Sequence, residues 1–210
     1  MKEIIDTYHQ IKKDIYNRIF EFKSVWNEAN EKRLFQELVF CLFTPQSKAV
    51  NAWETVIKLT ENNKLFEANA SSISNDLNLV RFKNNKASYL VKAREMFFNN
   101  SKGIMETLLE FTSVLEKRKW LNRNIKGYGL KESSHFLRNI GFVEDIAILD
   151  RHILRNLKRF NVISEIPKSI PEQKYFQIEN QMKKFSNKIS IPLGHLDFIF
   201  WFNETQTIFK

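Results

Sequence analysis

The chain has 210 residues, which suits one large domain or two small helical lobes that share a core. Its 5 Gly and 4 Pro argue against a many-turned all-β fold, and its one cysteine, Cys41, excludes an intramolecular disulfide and an iron–sulfur cluster held by this chain alone. The net charge of +9 favours a polyanionic partner, nucleic acid ahead of an anionic membrane surface, although excess lysine is also found as ordinary solvated surface. The sequence contains neither a signal-peptide core nor an apolar run near the roughly 20 residues of a membrane span, so we expect a cytoplasmic protein.

Apolar residues recur at steps of three and four along the first part of the chain, which predicts amphipathic helices. The first helix is indicated by a stripe that comprises Ile4, Tyr8, Ile11, Ile15 and Ile19. A second helix is expected from about Glu31 to near Thr44, because Pro45 disfavours the helical conformation of the residue before it. A third is expected to begin near Ser47, with a buried face that comprises Ala49, Val50, Trp53 and Ile57.

The remainder of the chain is also predicted to be helical. Residues 61–86 are rich in Asn and Ser and indicate short pieces and loops. Further helices are expected over residues 87–98, 104–115, 151–160, 172–185 and 192–202, with a turn at 166–171. Because no convincing strand pattern and no internal repeat is found, the predicted fold class is all-α.

Two glycines that flank one residue lie between predicted helices, in the stretch Ile125-Lys126-Gly127-Tyr128-Gly129-Leu130-Lys131. Gly127 and Gly129 allow a tight turn and positive φ angles, and they remove side chains that would keep a phosphate away from backbone N–H groups. The N-terminus of the next helix adds unpaired N–H donors and a positive dipole end. Such a hairpin grips a DNA backbone without reading its sequence, although the glycines alone fit an ordinary helix–helix turn equally well.

The segment from Lys126 to Phe142, followed by Ala147-Ile148-Leu149-Asp150-Arg151-His152-Ile153-Leu154, resembles the helix-hairpin-helix DNA glycosylases. A lysine just after the hairpin marks the bifunctional members of that superfamily, and Lys131 precedes Asp150 by their spacing of 19 residues (150 − 131). More narrowly, the chain resembles the small 8-oxoguanine DNA glycosylase/AP lyases of archaea and some thermophilic bacteria. Three further stretches share this resemblance, namely Thr44-Pro45-Gln46-Ser47-Lys48-Ala49, Arg81-Phe82-Lys83 and Leu196-Asp197-Phe198-Ile199-Phe200-Trp201.

The resemblance implies one compact glycosylase unit over residues 1–210, with two helical lobes that flank a central cleft. The hairpin motif would span residues 121–142, and a loop over 143–151 would carry the catalytic aspartate. Lys131 would attack C1′ of an 8-oxoguanine nucleotide and form a Schiff base, after which β-elimination would cut the strand on the 3′ side. Asp150, at an expected N-cap, would stabilise positive charge on the sugar or move protons. No metal and no cofactor is required.

The resemblance also implies residues that recognise the flipped base. Phe82 and Trp201 would stack on the base, although core packing is the alternative for each. A pocket for 8-oxoguanine also needs an acceptor for N7–H, and a backbone carbonyl near Pro45 would serve, because Pro45 breaks the helix there and frees carbonyls. Gln46 and Ser47 would add contacts at the base edge. The C-terminal residue, Lys210, would help to distinguish 8-oxoguanine from guanine, unless the chain end is simply frayed.

Contacts to DNA phosphates are expected from the hairpin glycines and from Lys126, Arg123 and Lys48, so binding should weaken steeply with salt. The expected partner is double-stranded DNA that contains 8-oxoguanine or abasic sites. No membrane and no obligate protein partner is expected, and the enzyme should be a monomer in the prokaryotic cytoplasm, with the chromosome.

Two alternatives stay open: a glycosylase for another oxidised base, and a non-catalytic helix-hairpin-helix DNA-binding module. Taken alone, Lys131 also fits a surface lysine or phosphate contact, and Asp150 a helix cap worth about 1 kcal/mol.

Overall fold

A computed structural model describes residues 1–99 and 102–210, and in these ranges all regular structure is helical, without a strand. The helices are α1 (Lys2–Asn27), α2 (Glu31–Phe43), α3 (Ala49–Glu61), α4 (Lys64–Glu67), α5 (Ala70–Asp76), α6 (Lys83–Phe98), α7 (Ile104–Leu109), α8 (Val114–Asn124), α9 (Leu130–Asn139), α10 (Arg151–Arg159), α11 (Glu172–Lys188) and α12 (Leu193–Thr205). The predicted all-α class is confirmed.

The chain divides into two compact units. The terminal unit comprises residues 1–24 and 137–210, and the middle unit comprises residues 25–136. The boundaries fall inside α1 and α9, so each of these helices contributes residues to both units. The expected arrangement of two lobes around a central cleft stays a prediction.

The middle unit is built around α2, in which every residue from Leu34 to Phe43 except Gln36 is buried. Its fully buried side chains include Phe35, Phe40 and Phe43. The one acidic residue inside this apolar stretch, Glu37, is fully buried and is paired with Arg33 at 2.6 Å. The phenol of Tyr128 donates to the backbone oxygen of Leu38 at 2.7 Å. The segment that follows α8 is therefore fixed directly to the central helix.

In the terminal unit, a buried ion pair joins the end of α9 to α12. The guanidinium of Arg138 donates to the carboxylate of Asp197, and its carbon lies 4.9 Å from the ring centre of Phe198 and 5.3 Å from that of Phe22. Burial raises the pKa of Asp197, and Arg138 opposes that rise. Removing one partner of such a pair would leave an uncompensated buried charge, which costs about 3–5 kcal/mol.

The predicted buried face of α3 is wrong. Val50 is 50 % exposed, and the buried residues of this helix are Ala52, Thr55, Val56 and Leu59. Both sides of the helix carry apolar residues, and the side that includes Leu59 faces the core. Trp53 is only partly buried, and its ring centre is 5.7 Å from that of Phe40.

Two predicted helix boundaries are also corrected. The helix expected from residue 87 begins at Lys83, because Phe82 adopts a left-handed conformation (φ 59°) that sets the start of α6. The helix expected over 104–115 ends at Leu109, and α8 begins after Ser113. Ser113 and Glu116 form a reciprocal capping box, which satisfies backbone donors at the start of α8.

Candidate active site

The hairpin between α8 and α9 is a tight turn closed by the backbone bond from Tyr128 N–H to the oxygen of Ile125, at 3.1 Å. Gly127 has a φ of +91°, as expected, and a Cβ at this position would overlap the ring of Tyr89. Gly129 does not use the left-handed region, so its predicted positive φ is wrong. Only the first glycine is therefore required by backbone conformation.

The second glycine contributes its amide group instead. The N–H of Gly129 donates to Oε2 of Glu132 at 3.1 Å, which satisfies one unpaired donor at the start of α9. The other oxygen of this carboxylate, Oε1, lies 3.7 Å from Nζ of Lys131. Glu132 therefore joins the hairpin backbone to the lysine that follows it. Sequence reasoning missed this residue, although an acidic side chain in the first turn of a helix is the typical signal for such a bond.

Lys131 is the second residue of α9, as predicted, and its side chain is 23 % exposed. Its Nζ lies 3.5 Å from Oγ1 of Thr44, which is a long contact, in addition to the 3.7 Å approach to Glu132. The amine is thus bracketed by a hydroxyl and a carboxylate while it keeps access to solvent. A free surface lysine would be more exposed and would lack these two neighbours.

The turn at residues 44–47 follows α2 and carries the expected base-recognition residues. Gln46 has a φ of 56° and is exposed, whereas its neighbours in the turn are at least partly buried. The backbone oxygens of Phe43 and Pro45 both accept from Nζ of Lys86, at 2.7 Å each. Carbonyls without a helical partner are expected here, because Pro45 ends α2. The sequence does not predict that Lys86 binds them.

A second turn, which contains Phe82, is bonded to the first one. The N–H of Arg81 donates to Oγ of Ser47 at 3.0 Å. Phe82 is 56 % exposed, so the alternative of core packing is wrong for this residue. An exposed aromatic ring beside the 44–47 turn is a feature that a base-stacking site requires.

The expected phosphate-binding side chains are on the surface of the middle unit. Lys126, Arg123 and Lys48 are all exposed, as is Gly127. Lys126 precedes Gly127 in the hairpin, and Lys48 immediately precedes α3. Exposed cations at a hairpin and at a helix start have the geometry for backbone contacts, and their role stays a prediction.

In the terminal unit, Asp150 is the N-cap of α10, as predicted. Its Oδ1 accepts from the N–H of Ile153 at 2.9 Å, and its backbone is extended. The side chain is partly buried, and its negative charge adds to the burial that raises the pKa of Asp197. Asp150 therefore has a defined orientation and is close enough to another carboxyl to affect its titration.

Trp201 is in α12, within an aromatic run whose other members are largely core. Phe198 and Phe200 are buried, whereas Trp201 is partly exposed. Its ring meets the His152 ring edge to face, with centres 5.1 Å apart. Within residues 1–99 and 102–210, its Nε1 finds no hydrogen-bond acceptor. Lys210, beyond the end of α12, is partly buried.

The predicted residues thus fall into two groups. The middle unit contains Lys131 with the 44–47 turn, Phe82 and the hairpin cations, whereas the terminal unit contains Asp150, Trp201 and Lys210. In the part of the chain that is described, no cluster of three or more His, Cys, Asp or Glu side chains has the arrangement of a metal site. None of the helices described is both long and apolar enough to cross a bilayer.

The chain is similar to known proteins over nearly its whole length. The sequence model of the 8-oxoguanine DNA glycosylase family matches residues 15–191. An 8-oxoguanine DNA glycosylase/AP lyase from Fusobacterium nucleatum is 42% identical over 209 residues, which cover 99% of this chain and 96% of that protein. The protein of the same name from Methanocaldococcus jannaschii is 38% identical over 206 residues, covering 96% of this chain and 94% of that protein.

Solved structures match equally well. The M. jannaschii 8-oxoguanine glycosylase/lyase, crystallised with a 15mer DNA containing 8-oxoguanine, has a TM-score of 0.90 and 35% identity, covering 100% of this chain and 98% of that one. The 8-oxoguanine DNA glycosylase of Thermotoga maritima has a TM-score of 0.89 and 30% identity, covering 100% and 97%. The expected helix-hairpin-helix glycosylase fold is confirmed by these matches.

Substitution of the two hairpin glycines by alanine should separate their roles. Gly127→Ala forces a side chain into the left-handed region, which costs about 1–2 kcal/mol, and it displaces the Tyr89 ring. Gly129→Ala is the matched control, because its Cβ would approach only the flexible Glu132 carboxylate, at 3.1 Å. Urea unfolding should show the larger loss of stability for Gly127→Ala. Equal losses in the two variants would contradict the assigned conformations.

Proposed function

Since this chain belongs to the 8-oxoguanine DNA glycosylase family, we infer that it is a bifunctional DNA repair enzyme. It excises 8-oxoguanine from double-stranded DNA and cleaves the strand at the resulting abasic site. One observation carries this conclusion: a partly buried lysine, Lys131, immediately follows a DNA-binding hairpin and is held between Thr44 and Glu132. A hairpin that only bound DNA would not need a lysine that is partly buried between a hydroxyl and a carboxylate.

Lys131 is proposed as the nucleophile. Its neutral amine attacks C1′ of the damaged nucleotide, so that the Nζ–C1′ bond forms, the bond from C1′ to N9 breaks, and the electron pair leaves with the base. The leaving base takes up a proton, and the amine loses one. Thr44 and Glu132 limit the positions that the amine can adopt, which favours attack from one direction.

Strand cleavage follows from the same covalent intermediate. Opening of the sugar ring gives a Schiff base between Lys131 and C1′, and this imine makes the C2′ proton acidic. Loss of that proton expels the 3′ phosphate by β-elimination, and water then releases the lysine. A single amine thereby serves both the glycosylase and the lyase activity.

Asp150 is proposed to stabilise positive charge that develops on the sugar as the base leaves. A carboxylate in a fixed orientation achieves this at little reorganisation cost, and the cap bond to Ile153 supplies that orientation. Capping a helix and supporting catalysis are compatible, because the bond to Ile153 uses only one oxygen of the carboxylate. We therefore assign both roles to Asp150.

Recognition of the base is proposed to involve residues from four segments. Phe82, already exposed, would stack on the flipped base, and Trp201 would provide a second aromatic face. A carbonyl of the 44–47 turn near Pro45 would accept from N7–H, with Gln46 and Ser47 at the base edge. Lys210 would contribute to discrimination against guanine; its partial burial supports an ordered chain end rather than a frayed one.

Binding to the DNA backbone is proposed for the hairpin glycines, Lys126, Arg123 and Lys48. The net charge of +9 and the exposure of these cations support a strongly salt-dependent interaction. We propose a monomer that acts in the cytoplasm, where the chromosome of a bacterium or archaeon is found.

Borohydride trapping tests the function directly. Wild-type protein incubated with an 8-oxoguanine duplex and borohydride should give a covalent protein–DNA adduct and a cleaved strand, because the reductant fixes the Schiff base. Lys131→Gln should give neither product. Lys184→Gln, which removes an exposed lysine of α11, is the matched control and should trap like wild type. Wild-type protein that forms no adduct and cuts no lesion would establish the binding module instead, and adducts only with oxidised pyrimidines would establish another glycosylase.

Two substitutions at Asp150 should separate capping from catalysis. Asn is as good an N-cap as Asp, so Asp150→Asn should keep the stability of wild type, whereas Asp150→Ala should lose about 1 kcal/mol. Both should lower the single-turnover rate of base excision by about 10²–10³-fold, since neither retains the carboxylate. Thermal unfolding and excision of the labelled duplex are the measurements. Normal excision by Asp150→Asn would reduce this residue to a helix cap.

A further inference from the structure

Lys86, in the first turn of α6, is a buried lysine that the reaction described above does not use. The residue is 4 % exposed. Its Nζ donates to the backbone oxygens of Phe43 and Pro45, both at 2.7 Å, and contacts Oγ of Ser47 at 3.4 Å. The three N–H groups of an ammonium thus face three oxygens, all of them on neutral groups.

Burial of an ammonium among neutral partners is costly, which argues that this lysine has a specific purpose. Burial, and then the positive charge of Lys131, lower the pKa of Lys86 to about 8. The cation therefore still predominates at pH 7, and it lies close enough to Lys131 for the two charges to interact. A residue needed only for packing would be more stable as an apolar side chain of similar length.

The three hydrogen-bond partners of Lys86 lie in or next to the 44–47 turn of the middle unit. Phe43 and Pro45 flank Thr44, so the ammonium holds the backbone on both sides of the residue whose Oγ1 lies 3.5 Å from Nζ of Lys131. Ser47 Oγ is the third oxygen that Lys86 contacts. It also accepts a hydrogen bond from the N–H of Arg81, the residue before Phe82. One buried cation therefore connects the 44–47 turn with the contact to Lys131 and with the turn that exposes Phe82.

We propose that Lys86 is a positioning residue for base excision: its ammonium fixes the 44–47 turn, and through that turn it sets the positions of the base-recognition groups and of the Lys131 amine. The inference rests on the proposed function of that turn. Lys86 does not itself attack the sugar, because its Nζ is enclosed by its three acceptors. Without the ammonium, the buried carbonyl of Phe43 and the partly buried carbonyl of Pro45 lose their donor, and the turn is free to move.

Single-turnover kinetics with saturating enzyme test this role. Lys86→Met keeps the length of the side chain and removes its donors, and Lys92→Met is the matched control, since Lys92 is an exposed lysine of the same helix. We expect Lys86→Met to excise 8-oxoguanine about 10²-fold more slowly than Lys92→Met, as misplacement of reacting groups by about 1 Å costs that much. Cleavage at a preformed abasic site, which needs no base recognition, should fall less. Affinity for the lesion duplex should stay within about threefold of the control, because phosphate contacts dominate binding.

The outcomes distinguish this inference from the proposed function. If wild type traps and Lys86→Met excises as fast as Lys92→Met, the role of Lys86 is refuted while the enzyme assignment stands. If wild type itself does not trap, the proposed function fails. Should Lys86→Met not fold, as judged by circular dichroism, Lys86→Arg decides, because it keeps the charge but presents its donors in a planar fork instead of to three acceptors at once. Excision by Lys86→Arg should then fall about tenfold relative to Lys92→Arg, and by more than its abasic-site cleavage; an unchanged excision rate would overturn the proposal.

Discussion

Helix ends leave backbone N–H and carbonyl groups without partners inside the helix, and candidate residues of both units lie at such ends. The carbonyls at the end of α2 bind the ammonium of Lys86. The N–H of Gly129, just before α9, donates to Glu132, and the N–H of Ile153, in the first turn of α10, donates to Asp150. Each of these bonds fixes the position of a charged side chain, and Lys131 is the second residue of α9.

Much of the site was predictable from local sequence. The hairpin lies within a short stretch, and the helical pattern after Asp150 indicates an N-cap, so both positions depend on residues close in the chain. Gly127 has the predicted positive φ for the same reason. The roles of Lys131 and Asp150 rest on the resemblance of this block to a family whose members match nearly the whole chain. Their chemistry itself stays a proposal.

Features that depend on distant contacts were missed. The composition of residues 61–86 predicts short pieces and loops, and nothing in the sequence distinguishes a buried lysine from an exposed one when its acceptors are backbone oxygens about 40 residues away. The wrong face of α3 has a similar cause, because both sides of that helix carry apolar residues and only packing selects between them. The break between α7 and α8, by contrast, has a local signal. Ser113 and Glu116 form a capping box, and their spacing of three residues is visible in the sequence.

Two lysines of the middle unit, Lys131 and Lys86, interact electrostatically, and we propose different roles for them. Lys131 would form the covalent bond, and Lys86 would hold the turn. Proteolysis of the borohydride-reduced adduct with 8-oxoguanine DNA, followed by tandem mass spectrometry, identifies the modified residue. We expect the deoxyribose remnant to be attached to Lys131 alone. A remnant on Lys86 or on the hairpin residue Lys126 would contradict the assignment of Lys131 as the nucleophile.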